Sequence, residues 1–519
     1  MLDLRQMRED LMELTGLLTA SHPDPYRGPG GKVAFHRQVE NIRRALPEAA
    51  SPQEFLRIVR PLVASLRDGH TAIGLPDEPA SRPLPRLWLD WDVVGDTIYL
   101  RRVYSEAHRQ LLGARLEAAG GFAMEELKRR MAGLHGYDNG VDLLRRLGEA
   151  LSQPAECLEL LGCDDPPKST TLALQLGDGT EISIEVPWST ESPGAPLEPP
   201  STLPLPPLGP ANLGWGFLCG DGKVAYLRVG QLMQYREAFE VWRAGGFTQT
   251  LEERLRALLP DASPADDVDV LLCRIPSATE LLQELFAAMR EAKVKELVVD
   301  LREATGGNSA LAHILGCFLF GEDEMAFAQQ GYQIPRHSRL YLANYGSLPD
   351  GADPANGGYD FRDEEAFERR RRDGLTDDLR EQLRAEAREY ALAMPTFDAA
   401  LRGGKVACAP VQKLVVVTSA FTYSAGFDVA AMLVRRGALH VGVASGQAGN
   451  CFTDILRFRL AHSQLAGTIS FKESFLFPED PAAGRLLRPQ RELTYERLAA
   501  YGFDPNASLR LALDDSSGE

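Results

Sequence analysis

Eight prolines (Pro193, Pro196, Pro199, Pro200, Pro204, Pro206, Pro207 and Pro210) crowd one short stretch, and this feature limits the fold most. Proline lacks the backbone N–H that a helix interior or a sheet ladder needs, so residues 189–210 read as an extended linker. The linker cuts the chain in two. Its 519 residues also exceed what one core can fill, because domains run to about 100 to 200 residues.

Residues 1–80 read as a small helical domain: Leu4, Met7, Leu11, Leu14 and Leu18 recur at helical spacing, and Phe55, Ile58, Val59, Leu62 and Leu66 do so again. Between these runs the prolines of Ser21-His-Pro-Asp-Pro-Tyr26 force a turn. Residues 83–188 change to short β-like runs, Thr97–Leu100 and then Thr171–Val186, whose alternation around Gly177-Asp178-Gly179 predicts a hairpin. Beyond the linker, residues 211–519 alternate apolar strands (Val224–Val229, Glu296–Leu301, Lys413–Thr418) with helical stretches, as parallel βα units do. The charged segment Asp363–Ala391, with Arg369-Arg-Arg-Arg-Asp373, reads as a surface helical insertion or as an anion-binding patch.

The sharpest local pattern is Leu414-Val-Val-Val-Thr-Ser-Ala-Phe-Thr-Tyr-Ser-Ala-Gly-Phe-Asp-Val-Ala-Ala-Met-Leu433: an apolar strand, a turn of small and hydroxyl residues, then an amphipathic helix. Ser424 falls where the helix begins, at the carboxyl end of a strand, where sites collect in parallel sheets. There it could attack a carbonyl while the amide of Ala425 holds the oxyanion. It could equally be an N-cap, as could Thr422. A second apolar strand, Leu297-Val-Val-Asp-Leu-Arg302, runs into Gly306-Gly307, which is either a plain turn or a place where backbone amides approach a ligand.

The order of these segments resembles peptidase family S41, the C-terminal-processing (tail-specific) and tricorn-type serine proteases. Asp300-Leu-Arg302 followed by Gly306-Gly307, then Thr422-Tyr-Ser-Ala425, Gly442–Gly446, Leu486–Pro489 and Tyr501–Pro505, is similar to its catalytic domain. Ser21–Tyr26 and Leu66-Arg-Asp-Gly-His-Thr71 are similar to its amino-terminal motifs. The resemblance implies a multidomain α/β protein: a helical N-terminal domain, a PDZ-like β-rich middle domain over 83–188, and a ClpP/crotonase-like catalytic domain. It also implies hydrolysis of peptide bonds, with a peptide or protein substrate recognised at its C-terminus.

Within that family a serine–lysine branch places its base about 25 residues after the serine, but no lysine lies between Lys413 and Lys472. The resemblance therefore points to the tricorn-like branch, with Ser424 as nucleophile, His70 as base, and the amides of Ala425 and Gly306 or Gly307 as oxyanion hole. An imidazole suits this task because its pKa lies near neutrality. Two partners depart from the pattern. Gly69 stands where a serine precedes the histidine, and the place of the orienting glutamate falls near Ala482 or Ala483, so that Glu479 or Asp480 would have to serve. The same fold without catalysis would be an apolar-ligand carrier or a pseudo-peptidase that grips peptide tails.

A net charge of −17 opposes binding to phosphate backbones, so no nucleic acid is expected as partner. No run of about 18 apolar residues is present to span a membrane. The charged start Met1–Asp10 lacks the apolar core of a signal peptide, which predicts a cytoplasmic protein unless a leader precedes it. Seven scattered cysteines without a Cys-x-x-Cys pair signal neither disulfides nor zinc, and no metal or cofactor is expected. They read as mostly reduced core thiols, with Cys451 either buried or lining the site.

Overall fold

The computed structural model describes residues 1–76, 84–218, 224–246, 248–327, 331–349, 352, 357–408 and 411–514. Cys219 and the expected boundary at 80–83 lie outside them. None of the described helices is long and apolar enough to cross a membrane.

Three helices open the chain: Leu4–Ser21, Lys32–Ala45 and Pro52–Ala64. The first and third begin in capping boxes, Asp3 with Gln6 and Ser51 with Glu54, which satisfy amide groups that a helix start leaves unpaired. Their apolar stripes (Met7, Leu11, Leu14, Phe55, Val59, Leu62) do not close on one another alone. They pack on Phe458, Leu460, Leu465 and Ile469 of a hairpin almost four hundred residues later, Asn450–Arg459 with Ala466–Phe475. A short strand, Ala72–Gly74, joins that hairpin's edge, and Asp10 accepts the amides of His462 and Ser463. The helical layer is therefore fixed to the far end of the sequence, and the loop carrying His70 with it.

The middle segment forms an antiparallel sheet in the order Leu89–Val94, Thr97–Val103, Arg115–Ala119, Ser169–Gln175, Glu181–Pro187. Its last two strands are the expected hairpin, in register from Ser169–Pro187 to Gln175–Glu181. Three helices that the strand-like reading did not assign (Met124–Leu134, Gly140–Ser152, Pro154–Leu161) lie within it. They bury Leu127, Leu144, Leu147 and Leu160 against Trp91, Leu100, Leu116 and Leu172. The proline-rich linker follows extended but docked: Leu197 bridges Val103, and Leu203 and Leu205 pack on the core around Val298 and Val415.

The remaining chain builds a six-stranded sheet ordered Leu213–Leu218, Val224–Val229, Glu296–Asp300, Lys413–Thr418, Leu439–Gly442, Arg491–Glu492. Only the first pairing is antiparallel. The parallel strands are buried on both faces, which explains their unbroken Val and Leu runs. Their carboxyl ends lie at one edge, so the loops after Asp300, Thr418 and Gly442 converge there. Arg302 ties this edge down: it pairs with the buried Asp300 and donates to Pro505 and Asn506, linking two of the recognised motifs. The charged insertion is two helices, Arg362–Asp373 with no buried residue and Asp377–Leu392 burying only Leu383 and Ala391. The six described cysteines are free; Cys157, Cys317 and Cys451 are buried, whereas Cys273 and Cys408 are exposed and so are not core thiols.

Candidate active site

The turn that delivers Ser424 is held by hydroxyls. Thr422 donates to Leu301 O (2.8 Å) and accepts the Ser419 amide (3.0 Å), Ser419 donates to Arg302 O (2.7 Å), and Ser445 donates to Thr422 O (2.5 Å). Ser424 then adopts φ 50°, ψ −127° as the residue before the helix Ala425–Arg435, and its side chain makes no capping bond. That backbone conformation costs a non-glycine residue about 1–3 kcal/mol. It is held by the side-chain carbonyl of the buried Gln447, which accepts the Ser424 amide at 2.5 Å. Ser424 is thus a strained, uncapped serine whose hydroxyl has no protein partner among the described residues.

Gly306 and Gly307 face it with φ +119° and +141°. A Cβ at 306 would lie 2.7 Å from Ser424 Cβ, and one at 307 would lie 2.5 Å from the Leu232 backbone, so glycine is required at both. The loop is pinned because Leu232 donates to Gly306 O and accepts the Asn308 amide. The amides of Gly306, Gly307 and Ala425 donate to no described protein acceptor, which leaves three N–H groups near the serine.

His70 reaches this place from the helical layer. The buried Asp68 organises its loop, accepting the His70 amide (2.8 Å), the Thr71 hydroxyl and His22 Nε2 (3.2 Å). His22 Nδ1 accepts the Asp24 amide, so the His22 proton sits on Nε2 and the two recognised amino-terminal motifs are bonded to each other. Outside the loop, His70 O accepts the Thr468 hydroxyl and Thr71 accepts the Ser470 amide, both from the hairpin. The imidazole packs on Tyr423, centroids 5.0 Å apart, and both of its ring nitrogens are buried without a partner. No hydrogen bond joins it to Ser424. The absent serine at position 69 has a steric reason: a Cβ there would stand 1.9 Å from the Tyr423 hydroxyl.

The carboxylates beside His70 are not those expected from spacing. Glu479 is exposed, and Asp480 accepts the amides of Ala482 and Ala483 as a helix cap. Neither is joined to His70. Asp138, from the turn Gly136-Tyr-Asp-Asn-Gly140 of the middle segment, lies beside His70 instead. One of its oxygens accepts the Gly69 amide and the other the Tyr423 hydroxyl, each at 2.8 Å. Donor atoms of His70, Asp68 and Asp138 all lie within 4.8 Å of one another. Burial raises the Asp138 carboxyl to about 6, helped by the charges of Asp142 and Asp68 and opposed by that of His70. Asp142 is itself neutralised by Arg145 and Arg146, and Arg146 donates to Gly69 O. Both carboxylates already accept N–H and O–H donors from the loops around them.

One helical turn beyond Ser424, Asp428 accepts the Ser309 hydroxyl (2.5 Å) and is also raised to about 6 by burial. The nearby Lys472 pairs with Asp454 at 2.6 Å. Cys451 is buried next to these groups; burial and the surrounding carboxylates push its thiol well up, the opposite of what a nucleophilic cysteine needs.

Residues 269–453 match the model of peptidase family S41, the family that the sequence motifs resemble. No curated protein matches the chain in sequence. In fold the chain is similar to mature CPAF, with a TM-score of 0.58 at 13% identity covering 99% of both chains. It is likewise similar to mature CPAF complexed with lactacystin, with a TM-score of 0.55 at 13% identity covering 99% of this chain and 98% of that one.

Proposed function

We propose that this chain is a serine peptidase in which Ser424 attacks the scissile carbonyl, His70 takes its proton and returns it to the leaving amine, and Asp138 positions His70. The observation that carries this reading is the state of Ser424: a strained serine at a helix start, its hydroxyl unused, with Gly306 packed against it. A structural N-cap would spend that hydroxyl on the helix. The family match over residues 269–453 supports peptide-bond hydrolysis as the chemistry.

Attack forms a tetrahedral intermediate whose oxyanion takes N–H donors from Ala425 and from Gly306 or Gly307. His70 then protonates the leaving amine, and water repeats the sequence to free the acyl group from Ser424. The base comes from the helical layer and the nucleophile from the α/β sheet, an arrangement that supports the histidine-dependent, tricorn-like reading. Asp138 takes the role expected of Glu479 or Asp480, stabilising the imidazolium. Substrate draws the His70 ring onto Ser424, since catalytic hydrogen bonds tighten in the bound complex.

Labelling by a fluorophosphonate probe tests the reading without knowledge of the substrate. We expect labelling of the wild type, none of Ser424→Ala, and a loss of at least tenfold in rate for His70→Ala. Undiminished labelling of Ser424→Ala would remove the nucleophile. Folded wild type inert to the probe would favour the non-catalytic binding protein, with which an unbonded His70–Ser424 pair also agrees.

A further inference from the structure

The helix Ala425–Arg435 presents Asp428, Ala431, Met432 and Arg435 along one face, the face on which Ser424 also lies by helical spacing. This face floors a groove of about 370 Å³ walled by Leu383 and Tyr390 of the charged insertion. At Arg435 and Leu476 the groove meets a second cavity of about 470 Å³, lined by Phe367, Arg370 and Phe477. The two cavities share these lining residues and run from Asp428, one turn past Ser424, to the carboxyl end of its helix.

The path ends on two arginines that no acid pairs with directly, the charge of Asp363 acting on Arg370 only from a distance. Neither Arg370 nor Arg435 forms an ion pair or side-chain hydrogen bond among the described residues. The Arg435 guanidinium lies 4.6 Å from the Phe477 ring centroid, and burial together with the like charge of Arg370 pulls it down to about 10. Glu479 and Asp480 line the same cavity without pairing with either, Asp480 being turned to the amides of Ala482 and Ala483. In a chain of net charge −17, acids to pair with are plentiful. Two partly desolvated guanidinium groups left to repel each other are costly in isolation and well suited to a planar anion.

We propose that this groove seats part of the peptide substrate and that Arg370 and Arg435 hold a carboxylate of that peptide. The proposal rests on the peptidase reading. The eleven steps from Ser424 to Arg435 rise about 16 Å along the helix. An extended chain covers that distance in about five residues, which sets the spacing between the carboxylate and the attacked bond. The carboxylate is either the peptide's own terminus or an acidic side chain.

Binding to Ser424→Ala protein tests this without turnover, by fluorescence anisotropy with fluorescein-labelled randomised hexapeptide pools as free acids, as amides, and as amides with glutamate at the last position. We expect the free-acid pool to bind at least tenfold more tightly than the plain amide pool. Arg435→Gln and Arg370→Gln should each erase the difference, and Arg435→Lys should retain part of it. A glutamate amide pool that binds like the free acid assigns the carboxylate to a side chain; one that binds like the plain amide assigns it to the terminus. Equal or undetectable binding of free acid and amide pools overturns the proposal, as does a preference that survives the double Arg370→Gln, Arg435→Gln variant. Failure of the peptidase reading shows separately, as absent fluorophosphonate labelling.

Discussion

Asparagine at position 138 separates a positioning role from a structural one. The Asp138 carboxyl rises from 3.8 to about 6 on folding. At about 1.4 kcal/mol per pKa unit, its ionised form costs the folded state about 3 kcal/mol. The sign follows from proton binding: between pH 4 and 6 the folded protein holds this proton and the unfolded chain does not. The stability contributed here is therefore greatest below pH 4, falls as pH rises to about 6, and is level above. Asparagine carries no charge and removes that fall, but it offers one acceptor oxygen to two donors, the Gly69 amide and the Tyr423 hydroxyl. One unsatisfied donor costs about 1 to 3 kcal/mol. At pH 8 the variant should thus range from unchanged to about 2 kcal/mol more stable in urea unfolding. Its kcat/KM should meanwhile fall about 10²- to 10⁴-fold, because a carboxamide cannot stabilise an imidazolium. The wild-type limb of activity that rises through about pH 6 should be missing from its profile. A variant that keeps more than a third of wild-type kcat/KM at pH 8, or that loses stability in step with activity, would refute the assignment.

Ser424→Gly should abolish labelling yet exceed Ser424→Ala in stability by about 1 kcal/mol in urea unfolding, because only glycine relaxes at φ 50°. Gly69→Ala should cost more than about 3 kcal/mol from its overlap with the Tyr423 hydroxyl, and a Tyr423→Phe background should recover part of that loss in thermal melts. Gly306→Ala should lower kcat at least a hundredfold while the fold persists by circular dichroism, because its Cβ would meet the Ser424 side chain. Stability should also lose a share between pH 4 and 6 through Asp428, raised as Asp138 is, and Asp428→Asn should flatten that part of a urea-midpoint against pH curve.

The turn that carries Ser424 was legible because local rules agree on it: the apolar run Val415–Val417 reads as a buried strand, and the small residues at its end read as a turn into a helix. The hairpin 169–187 was legible for the same reason, alternation around Gly177-Asp178-Gly179. The helices between 124 and 161 carried periodicity of their own, in Leu144, Leu147 and Leu151, that a strand-like reading of 83–188 passed over. His70 was reachable only through motif resemblance, because its partners come from the hairpin and from Tyr423. Asp138 had no sequence signal beyond a polar turn. Its position depends on how the middle segment docks on Gly69 and Tyr423, and spacing from Ser424 led instead to Glu479 and Asp480. Gly69 looked like a loss until the Tyr423 hydroxyl was seen to fill its space.

The shared core between the first three helices and the hairpin 450–475 also bears on when such an enzyme can act. His70, Asp138 and Ser424 come from three segments distant in sequence, so on the proposed reading a ribosome-bound or partly unfolded copy would carry the serine without its base. The loop of residue 70 is held by the hairpin 450–475, so that reading ties the base's position to chain made almost four hundred residues later. A nascent chain carrying such a site would then be harmless to itself and to its neighbours until it is whole.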